Sequence, residues 1–328
     1  MQSAAAVRHR ILPLGDSYLL LLAPSRRAVR HPRGHEEQSM RSLPGRLLKI
    51  AWSAVLALLI LGFGQGVWGV LLVANLKTIP TIPWAVPVMM LVLGLMWQYL
   101  SGKWWPRRTS EARRSYLRAN RVSGTVFAWA LLAGALSIVA LAGYWIVLFQ
   151  LVKMPANVLD IFSGYPLLTT VLVIAMASLV SPITEEAAFR GYCQVILERQ
   201  FTAPIAVLIS SALFAAAHVV HGFLWPKLLV YFLVGVVFGV MAYVANSTVP
   251  AIPVHIIGDL TFFTLVWPYD ATRQLVWEGG ADRWFWIHVA QAIIFTAPQS
   301  RPSSGWQGSA SVRSPLLKAA RLAPIERA

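Results

Sequence analysis

Acidic residues are scarce in this chain, thirteen Asp and Glu among 328 residues. Charged residues of both signs reach only 12%, against about 25% in an ordinary soluble domain. With 57% hydrophobic residues and a mean hydropathy of +0.61, that shortage excludes a soluble globular protein and a disordered one alike. Cysteine is nearly absent: Cys193 alone excludes an intramolecular disulfide and a thiolate zinc site, which needs several sulfurs. There is no P-loop, no Gly-x-Gly-x-x-Gly pattern and no internal repeat, and the apolar run Tyr18 to Ala23 is too short for the core of a signal peptide.

What the chain has is long apolar runs. About 20 apolar residues cross a hydrocarbon core of roughly 30 Å. Eight segments meet or approach that length: 50–75, 84–100, 125–152, 166–197, 204–223, 226–246, 249–267 and 284–297. The expected fold is therefore all-α, a polytopic membrane helical bundle of about eight transmembrane helices spanning 50–297. Residues 1–49 read as a basic, disordered cytoplasmic arm, and 298–328, rich in Ser, Pro, Gly and Arg, as a disordered cytoplasmic tail. Tryptophans near the run ends, such as Trp52, Trp84, Trp145, Trp225, Trp267 and Trp284, fit a headgroup belt.

The formal charge of +15 does not point to nucleic acid, because the basic residues lie between apolar runs rather than on one soluble face. Counted over alternate loops, 23 Lys and Arg fall on one side and 5 on the other, which places both termini and the loop 101–124 in the cytoplasm.

Of the acidic residues, only Glu185, Glu186 and Asp259 fall inside the apolar segments, together with His218, His221 and His255. An ionisable group at that depth costs about 2.5–3.5 kcal/mol on insertion, so each needs a partner or a task. On a helix Glu186 pairs with Arg190 at i,i+4, while Glu185 points about 100° away and must find its partner on another helix. Glu185 lies 13 residues before Glu198 and His218 lies 14 after Pro204, so two antiparallel helices bring them to one height, roughly 20 Å from the connecting turn. His255 and Asp259 share a helix face, and Pro250 and Pro253 ahead of them suggest an irregular backbone lining a cavity. The bland reading is a structural ion-pair network with packed histidines.

Glu-Glu-x-x-x-Arg (185–190), Phe-x-x-x-His (214–218) and His-x-x-x-Asp (255–259), each in its own apolar segment, resemble the CAAX protease and bacteriocin-processing (CPBP) family of intramembrane proteases, which includes type II CAAX prenyl endopeptidases. The resemblance covers about 165–270. It implies a protease core with its site in a cavity open toward the cytoplasm, in a multi-pass protein of the bacterial plasma membrane. By position it makes Glu185 the activating base, His218 its partner on the water, His255 and Asp259 the third site element, and Glu186, Arg190 and Phe214 supporting residues. The family motif commonly ends in Asn; an ionised Asp259 cannot donate a hydrogen bond to an oxyanion, so it would have to be protonated or act otherwise.

Two versions of the chemistry stay open: Glu185 and His218 activate water without metal, or Glu185, His218 and His255, with or without Asp259, hold zinc, in keeping with the family's customary label of metalloprotease. The expected partners are the lipid bilayer and a membrane-associated or prenylated peptide or protein substrate, with no nucleic acid. The alternatives are a non-catalytic immunity or scaffold protein and a proton-coupled transporter; the lack of an inverted repeat counts against the latter.

Overall fold

A computed structural model describes residues 43–155 and 164–296, and among them every regular element is helical. In chain order the longer ones are α1 (Leu43–Leu76), α2 (Ala85–Leu100), α3 (Ser110–Leu117), α4 (Gly124–Leu151), α5 (Leu167–Glu198), α6 (Ala203–Ala217), α7 (Trp225–Val244), α8 (Ala251–Thr261) and α9 (Arg283–Thr296). Six stretches are long and apolar enough to cross a bilayer: α1, α4, α5, α6 with its extension to Val220, α7, and α8 with its extension to Thr272. Six such stretches among the described residues, where about eight were expected, are consistent with the polytopic helical bundle. The other two expected segments form α2, with 16 residues, and α9, with 14, which at 1.5 Å per residue extend only about 24 and 21 Å. Helix α1 begins at Leu43, so the last residues of the expected arm are helical; the rest of the arm and the tail lie outside the described residues.

The chain turns where side chains can satisfy backbone groups. Asn75, fully buried, donates through Nδ2 to the Ile82 carbonyl (2.7 Å) and accepts at Oδ1 from the Ala85 amide (2.8 Å), closing the α1–α2 turn and capping α2. Between α2 and α4 the Arg113 guanidinium donates to the carbonyls of Tyr99, Trp104 and Pro106 at 2.7–2.8 Å. Arg118, at φ 53°, ends α3 and pairs with Glu198 at the end of α5. These bonds tie the basic 101–123 segment to the bundle.

Burial is inverted relative to a soluble protein. Leu58, Leu59, Phe63 and Val70 of α1 are exposed, as apolar lipid tails permit, whereas Thr184, Glu186, Arg190 and Gln194 are at most 1% exposed. Trp145 departs from the expected headgroup belt: it is 2% exposed and packs against Phe149, Phe262 and Trp267.

Three helices change pitch near the polar centre. Helix α5 carries Pro182, which removes one helical donor, and then widens into π-helical geometry over Glu186–Cys193 before its last α-helical stretch, Gln194–Glu198. Helix α6 tightens into a 3-10 turn over His218–His221. The irregularity expected at Pro250 and Pro253 lies instead beyond Asp259: α8 is regular through both His255 and Asp259 and becomes π-helical at Phe262–Val266.

Glycine sets the closest approaches. A Cβ on Gly235 of α7 would lie 2.8 Å from the Ser211 Cα of α6, and one on Gly64 of α1 would lie 2.1 Å from Thr184 Cγ2, the residue before Glu185. Gly64→Ala is therefore expected to destabilise the protein by about 1–3 kcal/mol. Gly62→Ala on the same helix, where nothing lies within 4 Å of the new methyl, should change stability by less than about 1 kcal/mol. Chemical unfolding in detergent micelles measures both; equal effects of the two would show that α1 and α5 do not pack at Gly64.

Candidate active site

The polar centre is assembled from α1, α5, α6, α7 and α8. Glu185, 3% exposed, ends the first α-helical part of α5. Its Oε1 accepts from Ser181 Oγ, one turn earlier, at 2.6 Å, and from Gln65 Nε2 of α1 at 2.9 Å. On the α6 side, His218 Nε2 lies 4.0 Å from Oε1; on the α8 side, His255 Nε2 lies 3.6 Å from Oε2. The equal-height argument thus matches the structure, and the two histidines approach different oxygens of one carboxylate.

Each ring is oriented by its other nitrogen. His218 Nδ1 is 2.8 Å from the Phe214 carbonyl, and since a carbonyl only accepts, Nδ1 carries the hydrogen and Nε2 presents its lone pair toward Glu185 in the neutral ring. The ring stacks on Tyr231 of α7, centroids 4.1 Å apart. His255 Nδ1 donates to Glu186 Oε1 at 2.9 Å, and its ring stacks on Phe238. His255 Nε2 then faces two carboxyl oxygens, Glu185 Oε2 and Asp259 Oδ1, both at 3.6 Å. Three atoms of that kind attract one another only when a proton is shared among them.

Glu186 and Arg190 meet as the i,i+4 reading requires, Arg190 Nη1 lying 3.3 Å from Glu186 Oε1, although the turn between them is π-helical rather than α-helical. Arg190 lies over Phe214, 4.2 Å from its centroid, and over Phe238 at 5.4 Å, and donates to the Val234 carbonyl. Phe214 thus supports the site twice, with its ring under the guanidinium and its carbonyl on His218. Glu186 Oε2 and Asp259 Oδ2 are buried with no hydrogen-bond partner among the described residues.

A cavity of about 460 Å³ opens on this cluster. Glu185, His218, Asp259, Gln65, Ser181 and Tyr231 supply polar groups to its wall, and Trp68, Trp145, Phe262, Phe263 and Trp267 supply apolar rings. His255, Glu186 and Arg190 do not line it and stand behind Glu185. Trp145 is held by a second charged group, its Nε1 donating to both oxygens of Asp270 at 3.1–3.2 Å, while Arg273 Nε donates to Asp270 Oδ1.

All seven residues singled out in the sequence, Glu185, Glu186, Arg190, Phe214, His218, His255 and Asp259, are brought together. The His221 side chain lies outside the described residues. Sequence reasoning passed over Gln65, Ser181, Tyr231 and Phe238. Ser181 had a signal in its i−4 spacing from Glu185, and Gln65 in being an amide within the apolar run Leu56–Val73.

The donors do not fit the zinc set. Among the described residues no three His, Cys, Asp or Glu side chains are arranged to hold a metal ion. The 3.6 and 4.0 Å separations exceed the roughly 3.3 Å between ligands of a tetrahedral zinc at about 2.0–2.1 Å.

Residues 167–261 match the family model described as Type II CAAX prenyl endopeptidase Rce1-like. This bears out the resemblance carried by the three motifs and supports a CAAX-type intramembrane protease in a multi-pass membrane protein. No curated protein and no solved structure matches the chain. Gln65 lies outside the matched segment.

The Arg190 contacts generate a stability prediction. Arg190→Met leaves Glu186 buried without its cation, and breaking such a pair costs about 3–5 kcal/mol. Arg199→Met removes an exposed guanidinium that bonds the hydroxyls of Ser115 and Tyr116, and should cost less than about 1 kcal/mol. Unfolding transitions in mixed micelles measure the two, and a similar small loss in both would mean that Glu186 is satisfied without Arg190.

Proposed function

We propose that this protein is an intramembrane endopeptidase in which Glu185 and His218 activate a water molecule against a peptide bond, without a metal. The observation that carries the reading is the 4.0 Å separation of Glu185 Oε1 and His218 Nε2 on the wall of the cavity. A water oxygen about 2.8 Å from each of two acceptors spans roughly 4.4 Å, so one water donating to both atoms fits between them with its lone pairs turned outward.

The step runs on protein groups. The water oxygen attacks the scissile carbonyl carbon, a C–O bond forms, and the carbonyl π pair moves onto its oxygen. The water proton passes to the Glu185–His218 pair, which is acceptor-only on its water side. When the tetrahedral intermediate collapses, the C–N bond breaks and the same proton goes to the departing nitrogen, leaving a carboxylic acid and an amine. His255, fixed by Glu186, faces the second Glu185 oxygen, so the base is flanked by an imidazole on each side and keeps its orientation while its charge changes. Asp259, a carboxylate on the cavity wall, is given no part in the chemical step.

The substrate we propose is a peptide segment of a membrane-associated protein, prenylated substrates being one form of it, admitted to a cavity whose aromatic wall matches an apolar chain. We also propose, from the distribution of Lys and Arg, that both termini and the 101–124 loop face the cytoplasm of a bacterial cell.

Digestion of a fluorogenic peptide library by the purified protein tests the activity. Glu185→Gln and His218→Ala should each lower cleavage by about 10²–10⁴-fold while the unfolding transition stays near that of the parent. Cleavage should persist in metal-free protein with chelator present. Loss of cleavage on chelation with recovery on added zinc would overturn the metal-free mechanism, and unchanged cleavage by Glu185→Gln would overturn the role of Glu185. A reporter fused after Ala297 should report cytoplasm; an external signal would reverse the topology.

A further inference from the structure

The proposed hydrolysis needs a donor for the oxyanion. Asp259 donates only in its protonated form, His255 does not line the cavity, and the His218 Nδ1 hydrogen is bound to the Phe214 carbonyl. Ser181 gives its hydroxyl hydrogen to Glu185, and the indole of Trp145 gives its own to Asp270, whereas the buried Nε1 of Trp267 on the same wall has no hydrogen-bond partner among the described residues and is a rival donor.

Gln65 is different. It lines the same cavity, and its Nε2 donates to Glu185 Oε1 at 2.9 Å. A primary amide has two N–H groups, and Glu185 is the acceptor that Nε2 meets among the described residues. One hydrogen therefore ties the amide to the base, and the second remains for a group in the cavity. The two hydrogens of an amide nitrogen diverge by about 120°, so the second is directed away from Glu185 while its nitrogen stays beside the atom that handles the water proton. A carbonyl that presents its oxygen toward α1 as that water attacks would accept this second hydrogen. Gly64 makes the placement feasible, because the missing side chain lets α1 lie against Thr184.

We infer that Gln65 is a further catalytic residue, an amide donor to the oxyanion of the tetrahedral intermediate, supplied by α1 from outside the segment shared with the Rce1-like family. The inference rests on the endopeptidase reading above. The amide stays neutral throughout: it donates a hydrogen bond that strengthens as the carbonyl oxygen gains charge, and no proton is transferred. Its contact with Glu185 holds it in place before substrate arrives, which is the arrangement that makes such a donor effective.

The test uses the full-length protein in detergent and the fluorogenic peptide that library digestion selects, with a phosphonate analogue of the same peptide as a mimic of the tetrahedral intermediate. Gln65→Met keeps length and removes the donor; Gln65→Asn keeps an amide on a shorter arm. Gln65→Met should lower kcat by about 10²–10³-fold with KM within about threefold, and should weaken the phosphonate by a similar factor. Gln65→Asn should recover part of both losses, and the pH profile of kcat should keep its shape. Equal phosphonate affinity in parent and Gln65→Met, or a displaced pH profile accounting for the lost rate, would overturn the inference and leave Gln65 as a positioning residue for Glu185. Tyr231→Phe and Trp267→Phe serve as the rival donors, and a kcat loss in either with none in Gln65→Met would also overturn it. The underlying reading fails by a separate sign, Glu185→Gln cleaving as well as the parent, and takes the inference with it. If Gln65→Met does not fold, as judged by its unfolding transition, Gln65→Asn alone decides: phosphonate affinity equal to the parent's at reduced kcat overturns the inference, and a parallel loss supports it.

Discussion

Carboxylates buried among apolar helices have to be partnered, and the centre of this bundle is organised by that requirement. Glu186, with no exposed surface, draws Arg190 and His255 to a single oxygen. Arg190, buried in turn, is covered by the rings of Phe214 and Phe238 and tied to the Val234 carbonyl. Once the second glutamate has taken the guanidinium and one histidine nitrogen, the first is left with neutral donors, Ser181 and Gln65, and with two imidazoles that approach without closing on it. That division separates a carboxylate held through one oxygen by ionic contacts from one that retains an open side toward the cavity. It also explains why helices from both halves of the chain converge on a stretch of two residues.

The departures from α-helical pitch lie at this cluster rather than at random along the spans. The π-helical turn of α5 starts at Glu186, the 3-10 turn of α6 starts at His218, and α8 changes pitch three residues after Asp259. A π-helical turn leaves carbonyls with altered partners and rotates the following residues relative to an α-helix. In α5 it lets Glu185 face α1 and α8 while Glu186 and Arg190 turn toward α7 and α8. Each break sits where the surrounding helices supply enough contacts to hold it, which is the condition for irregular backbone at membrane depth.

Much of the site was legible because a charge inside an apolar run is conspicuous. Glu185, Glu186, Arg190, His218, His255 and Asp259 stood out against leucine and valine, and counting residues from the Glu198–Pro204 turn was enough to pair Glu185 with His218. Gln65 was not found, because an uncharged amide is a weaker outlier and its partner is 120 residues away in sequence. The π-helical turn was not found either, since nothing in Glu186–Cys193 distinguishes five-residue from four-residue hydrogen bonding. Apolar character alone marks α2 and α9 together with the longer helices, and only their length sets them apart. Trp145 was misassigned to the membrane surface because the position of a tryptophan near a run's end does not reveal Asp270 waiting for its indole nitrogen.

The Gly64–Thr184 contact bears on how such a centre is inherited. The recognisable pattern lies wholly within 167–261, yet the glutamate at its heart is touched by a helix more than a hundred positions upstream that the pattern does not describe. Two chains can therefore share the same three motifs and still differ in what surrounds the glutamate, according to whether the residue facing the α5 threonine is small enough to admit a polar neighbour. Grafting the motif-bearing helices onto another set of amino-terminal spans would carry the charges across without the amide that accompanies them here. The unit that has to be kept intact is the pair of helices in contact, not the run of sequence in which the charged residues are written.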